Sequence, residues 1–293
     1  MIRSEKFKRF LFRKAAAIIR KMRLYSLFNF SNDTRPDAPF KLVFFCGQYG
    51  IEYLNASLFS VYRTWKFLPE VLIVTDGTPT DVIKNKLIKW PKDISVISWE
   101  ECANYYKIKG DHNIYSYASQ ELWGKKFVAC LYCAEHFATL YSDSDVLWFT
   151  SPTIKDISYT PSIKMSLDVD FYYNKKIIEF LDEQKCFNSV PLNCGVMYLH
   201  GNFSNYPKWE NLCSILPECR GKTSFSEQTA FAILNNYYNK EEYWSKNEVL
   251  TKTDDTLKFN YTKEQHPDVV ARHYVSEKGI TFWRDFVYMC FKN

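Results

Sequence analysis

The sequence predicts an α/β fold: a mixed, mainly parallel central sheet with helices on both faces. Two observations carry this expectation. Between residues 40 and 99, short apolar runs alternate with segments of helical periodicity in the order β-α-β-α-β, the pattern of a parallel sheet covered on both sides. Beyond them lies Thr139 to Phe149, an apolar strand that breaks for two carboxylates and then resumes. With 293 residues, 46% of them apolar, the chain can bury the core such a sheet needs, as one large domain or two small ones.

The elements follow in order. Phe40 to Cys46 is a buried strand closed by the Gly47-Gln48-Tyr49-Gly50 turn, and a helical pattern runs from Glu52 to Trp65. Val71 to Thr75 is a second strand, stopped by Asp76-Gly77. Thr80 to Trp90 has helical periodicity, and Ile94 to Trp99 is a third strand. Gln120 to Phe137 is a long helix leading into the carboxylate-bearing strand, which Ser151-Pro152 terminates. Ile163 to Asp170 alternates as a strand, and Leu192 to His200 is apolar and strand-like. Ser224 to Asn235 is a helix, for whose start Ser224 and Glu227 fit a capping box. Asp268 to Tyr274 is a last strand.

In open parallel sheets, ligands bind beyond the carboxyl ends of the strands. Gln48, Tyr49 and Asp76 sit at such ends, where turn formation is their blander explanation. Asp143 and Asp145 lie one residue apart on the same side of an extended chain, so their oxygens can converge on one point. Carboxylates are rarely buried unpaired, and hard divalent cations that carry substrate phosphates are held by one or two of them. The alternative is a solvated turn. Lys125 and Lys126, near the start of their helix, offer a cation to phosphate or ribose unless they are merely solvated. Asp168 and Asp170 form a second acidic spot. Gly195, within Asn193-Cys194-Gly195, allows close approach to the backbone. Glu227 and Gln228 open a helix at its positive end, and His273 ends a strand.

Residues 1–30 stand apart. They carry nine Lys/Arg against Glu5, a net +8, whereas the whole chain is +5, so the remainder carries −3. Helical periodicity places Phe7, Leu11, Ala15, Ile18, Ile19, Met22 and Tyr25 on one face, opposite Lys6, Arg9, Arg13, Arg20 and Arg23. A basic amphipathic helix of this kind suits an anionic membrane surface, through residues 2–25; packing on its own domain is the alternative. The expected division is therefore a basic helix over 1–30, a linker over 31–38 and a catalytic domain over 39–293. With basic charge confined to the first segment, nucleic-acid binding is not expected. No uncharged apolar run approaches the ~18 residues of a span, and Ala15 to Ile19 is too short for a secretory leader. Nine scattered cysteines, with Cys130-x-x-Cys133 lacking a second pair, suggest reduced core thiols. The expected location is cytoplasmic, at the membrane face. Sequons at Asn29, Asn32, Asn55, Asn202 and Asn260 keep a secretory lumen as the alternative.

Taken together, these motifs resemble glycosyltransferases of the GT-A fold, most closely family eight, the retaining lipopolysaccharide galactosyl/glucosyltransferase and glycogenin group. The resemblance rests on Tyr141-Ser142-Asp143-Ser144-Asp145-Val146, Leu192 to Met197, Ser226-Glu227-Gln228, His273-Tyr274 and Trp283-Arg284-Asp285, spread over residues 40–290. The chain departs from the family in having Glu227-Gln228 for Asp-Gln. Its C-terminal motif also differs, with Lys278 and Gly279 in reversed order and Trp283 ten residues after the His.

The resemblance implies that Asp143, Asp145 and His273 hold Mn²⁺ (or Mg²⁺) bridging the diphosphate of a nucleotide sugar, with a UDP-sugar as first choice. It places Asn193, Glu227, Gln228 and Asp168 or Asp170 around the donor sugar and Lys125 or Lys126 at ribose or phosphate. Cys46 to Tyr49 with Asp76 would hold the base, and Lys278 and Trp283 belong to the donor-side motif. The implied reaction moves a hexose to a glycan or glycolipid acceptor with retention, Gln228 supplying an amide where an inverting enzyme needs a base. Glu227 as that base is the inverting alternative. A nucleotidyltransferase would carry Lys or Arg in the Gly47–Gly50 turn, which has none. A non-catalytic glycan- or membrane-binding protein on the same sheet is the remaining alternative. Family members meet the membrane through a basic C-terminal tail; this sequence stops eight residues past Asp285, so the basic helix is expected to take that role.

Overall fold

A computed structural model of the chain describes residues 2–28, 33–154, 161–183, 190–221, 224–238, 243–251, 268–275 and 278–291. Its strands are β1 (Asp37–Cys46), β2 (Leu68–Thr75), β3 (Ile94–Ser98), β4 (Thr139–Ser142) and β5 (Val146–Trp148). They continue as β6 (Ser162–Leu167), β7 (Leu192–His200), β8 (Tyr243–Trp244), β9 (Val249–Leu250) and β10 (Ala271–His273). The helices are α1 (Ile2–Met22), α2 (Ile51–Thr64), α3 (Thr80–Lys84), α4 (Trp99–Lys109) and α5 (His112–Gln120). After them come α6 (Leu122–His136), α7 (Lys175–Phe180), α8 (Trp209–Ile215), α9 (Ser226–Tyr238) and α10 (Lys278–Phe291).

Seven strands form the main sheet in the order β3-β2-β1-β4-β7-β6-β8. Only β7 runs against its neighbours; the other pairings are parallel. Alternation along the central strands sends side chains to two separate cores. Leu42, Phe44, Ile73 and Leu140 join the core under α2 and α10, whereas Val43, Leu72, Val74 and Tyr141 join the one under α4, α5 and α6. The expected architecture is thus present.

Several boundaries differ from expectation for identifiable reasons. The helix expected over 80–90 ends at Lys84, because the buried Asn55 side chain takes over the next backbone groups: it donates to Lys86 O (2.9 Å) and accepts from Ile88 N (3.0 Å). That burial also removes Asn55 as a surface sequon. Trp99 opens α4 instead of ending β3, since Ser98 and Glu101 make a reciprocal capping box. Gly110, in the left-handed region at φ 93°, closes α4. The long helix expected from Gln120 begins at Leu122, and Gln120 ends α5. Ser224 makes no box with Glu227; its hydroxyl pairs with Ser226 Oγ at 3.0 Å. The eight described cysteines are free and buried.

The basic helix is fastened to the domain. α1 packs on α10, and the turn after it buries Leu24 and Tyr25, whose hydroxyl donates to Glu52 Oε2 (2.5 Å). Residues 29–32 lie outside the described residues. Within the expected linker, Arg35 Nη1 donates to the carbonyls of Tyr62 and Trp65, each at 2.7 Å, and Asp37 already belongs to β1.

What this topology positions is one edge. β1, β2, β3 and β4 all end on it, and β7, running the other way, begins there. The chain leaves β4 through Asp143-Ser144-Asp145 and enters β5, part of a small sheet ordered β5-β10-β9, in which His273 pairs with Val146.

Candidate active site

The Asp143-Ser144-Asp145 loop is held by backbone at both ends. Asp143 N donates to Gly195 O (2.7 Å), and Asp145 O accepts from Tyr274 N (3.1 Å). These bonds bring β7 and β10 to the carboxylates. His273 Nε2 lies 3.4 Å from Asp143 Oδ2 and 3.5 Å from Asp145 Oδ1, and the three ligand-capable atoms lie within 4.8 Å of one another.

His273 is buried and oriented from behind. Its Nδ1 is 2.9 Å from Asn193 Oδ1, which also accepts from Gly195 N at 2.8 Å. Asn193 Nδ2 in turn donates to Asp168 Oδ2 (2.8 Å). An imidazole whose Nδ1–H donates to an amide oxygen turns its Nε2 lone pair toward the carboxylates, the usual arrangement behind a metal-ligating histidine. Two carboxylates and an imidazole suit Mn²⁺ and related divalent ions, so these residues fit a bound cation. Burial works to lower the His273 pKa, but hydrogen bonds to Asp143 and Asp145, with their charge, raise it to about 9. A cation binding there therefore displaces a proton.

Asp143 has two further partners. Lys126, fully buried, places Nζ 3.1 Å from Asp143 Oδ1, and Tyr141 donates its hydroxyl to the same oxygen at 2.5 Å. Burial opposes ionisation of Asp143, yet Lys126, His273 and Tyr141 together hold its carboxyl well below the usual range. Lys126 is likewise disfavoured by burial but held protonated by Asp143. The two lysines, equivalent in sequence, thus separate: Lys125 points to the other end of the edge, over the Trp99 ring (4.6 Å), and donates to Asp76 O (2.8 Å).

That other end is formed by turns. Asp76 Oδ1 accepts from Thr78 N and Oγ1, and Thr78 Oγ1 accepts from Gln48 N (3.1 Å). Tyr49 projects from the same turn with 89% of its surface exposed, an aromatic face without a packing role. The two ends adjoin: a Cβ on Gly50 would lie 3.0 Å from Cys46 Sγ and 3.4 Å from Ser144 Oγ. Burial, then the charges of Asp76 and Asp145, push the Cys46 thiol up to about 12.

Glu227 and Gln228, in the first turn of α9, lie behind Cys194, whose Sγ is 3.5 Å from Glu227 Oε1 and 3.7 Å from Gln228 Oε1. Burial raises the Glu227 carboxyl despite the lowering effect of Lys126, and its Oε2 has no hydrogen-bond partner among the described residues. Gln228 Nε2 donates to Tyr172 O (2.9 Å). Tyr172 and Phe171 are exposed beside it, Tyr172 against Phe225 with ring centroids 5.3 Å apart.

Three of the expected residues have settings of their own. Of the two candidate aspartates, only Asp168 belongs to the cluster; it is buried, which raises its carboxyl against the lowering bond from Asn193. Asp170 is solvent-exposed and bonds locally to Phe171 N. Trp283 is a core side chain, buried against Tyr53, Phe282 and Phe286. The room made by Gly195 is taken by protein: a Cβ there would lie 2.2 Å from the His273 ring. Lys278 opens α10, and its side chain lies outside the described residues. Sequence reasoning gave no role to Thr78 and Trp99, nor to Tyr141 and Cys194 beyond their place in the motifs. Tyr141 had a usable signal, being two residues before Asp143 on the same side of the strand.

Gly195→Ala should consequently displace His273. We expect Mn²⁺ affinity to fall by roughly 10–100-fold, the range for a disturbed supporting shell, with the protein still folded. Calorimetric titration checks it, and an unchanged affinity would mean the ring is not held where its lone pair matters.

Comparison with solved structures places this architecture. Mouse xyloside xylosyltransferase 1, apo form, superposes with a TM-score of 0.54 at 13% identity, covering 83% of this chain and 99% of that one. The bifunctional glycosyltransferase WbbM, also apo, gives 0.53 at 12% identity, over 91% of this chain and 52% of that one. The fold is the GT-A fold. GlyE of Streptococcus pneumoniae TIGR4 agrees, with a TM-score of 0.51 at 14% identity over 86% of this chain and 61% of GlyE. No family model and no curated protein matches the sequence.

Proposed function

We propose that this GT-A chain is a metal-dependent glycosyltransferase, moving a hexose from a nucleoside-diphosphate sugar, first choice a UDP-sugar, to a glycan or glycolipid hydroxyl with net retention. The observation that carries the reading is the Asp143–Asp145–His273 group, with His273 braced by Asn193 and Asp168, at the ligand-binding edge of the sheet. A divalent cation there, Mn²⁺ or Mg²⁺, supplies neutralisation of the charge that grows on the departing diphosphate.

The chain's own residues have distinct tasks in this reading. Lys126 and Tyr141 keep Asp143 ionised and aimed. Tyr49 offers a stacking face to the base, while Asp76 and Lys125 stand at the ribose end. Glu227 Oε2, buried without a hydrogen-bond partner among the described residues, is an acceptor that a sugar hydroxyl would satisfy. An uncharged Gln228 cannot deprotonate an acceptor, which favours retention. The raised Glu227 carboxyl supports a second reading, inversion with Glu227 as base.

The test is nucleotide release from a panel of nucleotide sugars with and without Mn²⁺, followed by NMR of the first-formed product. Metal-dependent release with an α-product from an α-linked donor is expected. A β-product moves the chain to the Glu227 mechanism, and no release from any donor favours a non-catalytic binding protein.

A further inference from the structure

We propose that α1 seats this protein peripherally on a membrane surface containing anionic lipid. The inference is independent of the reaction proposed above. It begins with how α1 divides its apolar residues. Ala16 is buried and Ile19 half-buried where the helix meets α10. Leu11, Ile18 and Met22, at spacings of seven and four, fall in a single line along the flank of that contact. They stay exposed at 50%, 60% and 58%. Phe10 (53%) lies on the outer side, and Leu27 (77%) extends the apolar surface past the end of the helix.

Charge decides what such a line is for. Lys14 and Lys21 are exposed on the side adjoining it, and Arg20 and Arg23 are exposed as well. Residues 1–30 are +8 and the rest of the chain −3, so the field of the molecule turns this end toward an anionic surface. A nucleic acid would use the lysines and leave the apolar line wet. A second copy would bring one +8 segment against another. An anionic bilayer uses both features, taking the apolar line below its headgroups and the lysines at their level. No helix among the described residues is long and apolar enough to cross a membrane, so α1 lies in the interface plane. At 1.5 Å per residue its 21 residues give a contact about 31 Å long.

The experiment is co-sedimentation of the full chain with vesicles of phosphatidylcholine, alone or with about one-third phosphatidylglycerol. Wild type should pellet with the anionic vesicles only and be released as salt rises from ~0.05 M to ~0.5 M. Two variants separate the terms: Ile18→Glu/Met22→Glu on the line and Lys14→Glu/Lys21→Glu beside it. Each should reduce the bound fraction at least about tenfold, with circular dichroism melts matching wild type because all four side chains are exposed. Undiminished binding by both variants, or no binding by wild type, overturns the proposal. So does concentration-dependent self-association abolished by Ile18→Glu/Met22→Glu, which would make this face an interface between copies.

Discussion

Asp145→Ala should lower metal-dependent donor turnover by roughly 10³-fold, the equivalent of several kcal/mol of lost charge stabilisation. The side chain is one of three that converge within 4.8 Å. Its backbone carbonyl, which accepts from Tyr274 N at 3.1 Å, survives the substitution. The loop should therefore keep its path while the pair of carboxylates becomes a single one. His273→Ala should lose less, because Asp143 and Asp145 remain to hold the ion. Steady-state nucleotide release at saturating Mn²⁺ measures both, and EDTA should silence wild type. Full activity of Asp145→Ala, or wild-type activity that ignores EDTA, would sink the metal-dependent reading.

Most of the fold was legible because the signals were local. Apolar runs such as Val71–Thr75 and Leu192–His200 have one plausible structure, and the break at Asp143 and Asp145 marked the passage from β4 to β5. The Asp143–Asp145–His273 group was legible by resemblance, since nothing local to His273 says that β10 pairs with β5. Long-range packing was not legible. The fate of Trp283 depends on Tyr53, some 230 residues earlier in the chain, and Lys125 and Lys126 differ only in which way their helix faces. The shortening of the helix after Thr80 depends on Asn55, a residue of another helix. The Asp168–Asn193–His273 chain joins three strands or strand ends, so no stretch of sequence displays it. On α1 the sequence drew Leu11, Ile18, Ile19 and Met22 on one face but could not say that α10 covers only part of it, nor that the helix ends at Met22 and leaves Tyr25 to the following turn.

Asp285→Ala is expected to have the largest effect on stability, although Asp285 touches neither the carboxylates of the triad nor its imidazole in any bond seen here. Arg272, nearly wholly buried, donates from Nη1 to Asp285 Oδ2 at 2.8 Å, and the Tyr274 hydroxyl donates to the same oxygen at 2.8 Å. Arg284 Nε donates to Oδ1, also at 2.8 Å. Removing the carboxylate takes a charge-paired acceptor at 2.8 Å from the buried Arg272 guanidinium, a change that costs about 3–5 kcal/mol. At ~2–4 °C per kcal/mol for a domain of this size, Tm should fall by roughly 10 °C. Arg272 and Tyr274 flank His273, so Mn²⁺ affinity should weaken along with stability. The cause is separable from mere loss of side-chain volume. In Arg272→Met/Asp285→Leu the only charge left behind by the lost carboxylate is that of Arg284, which reaches solvent (24% exposed), and that double variant should recover most of the Tm lost by Asp285→Ala alone. Melts followed by circular dichroism, with and without Mn²⁺, decide the matter. If Asp285→Ala melts within ~2 °C of wild type, or the double variant is the less stable of the two, the Arg272–Asp285 pair is not what ties α10 to the strand that carries His273.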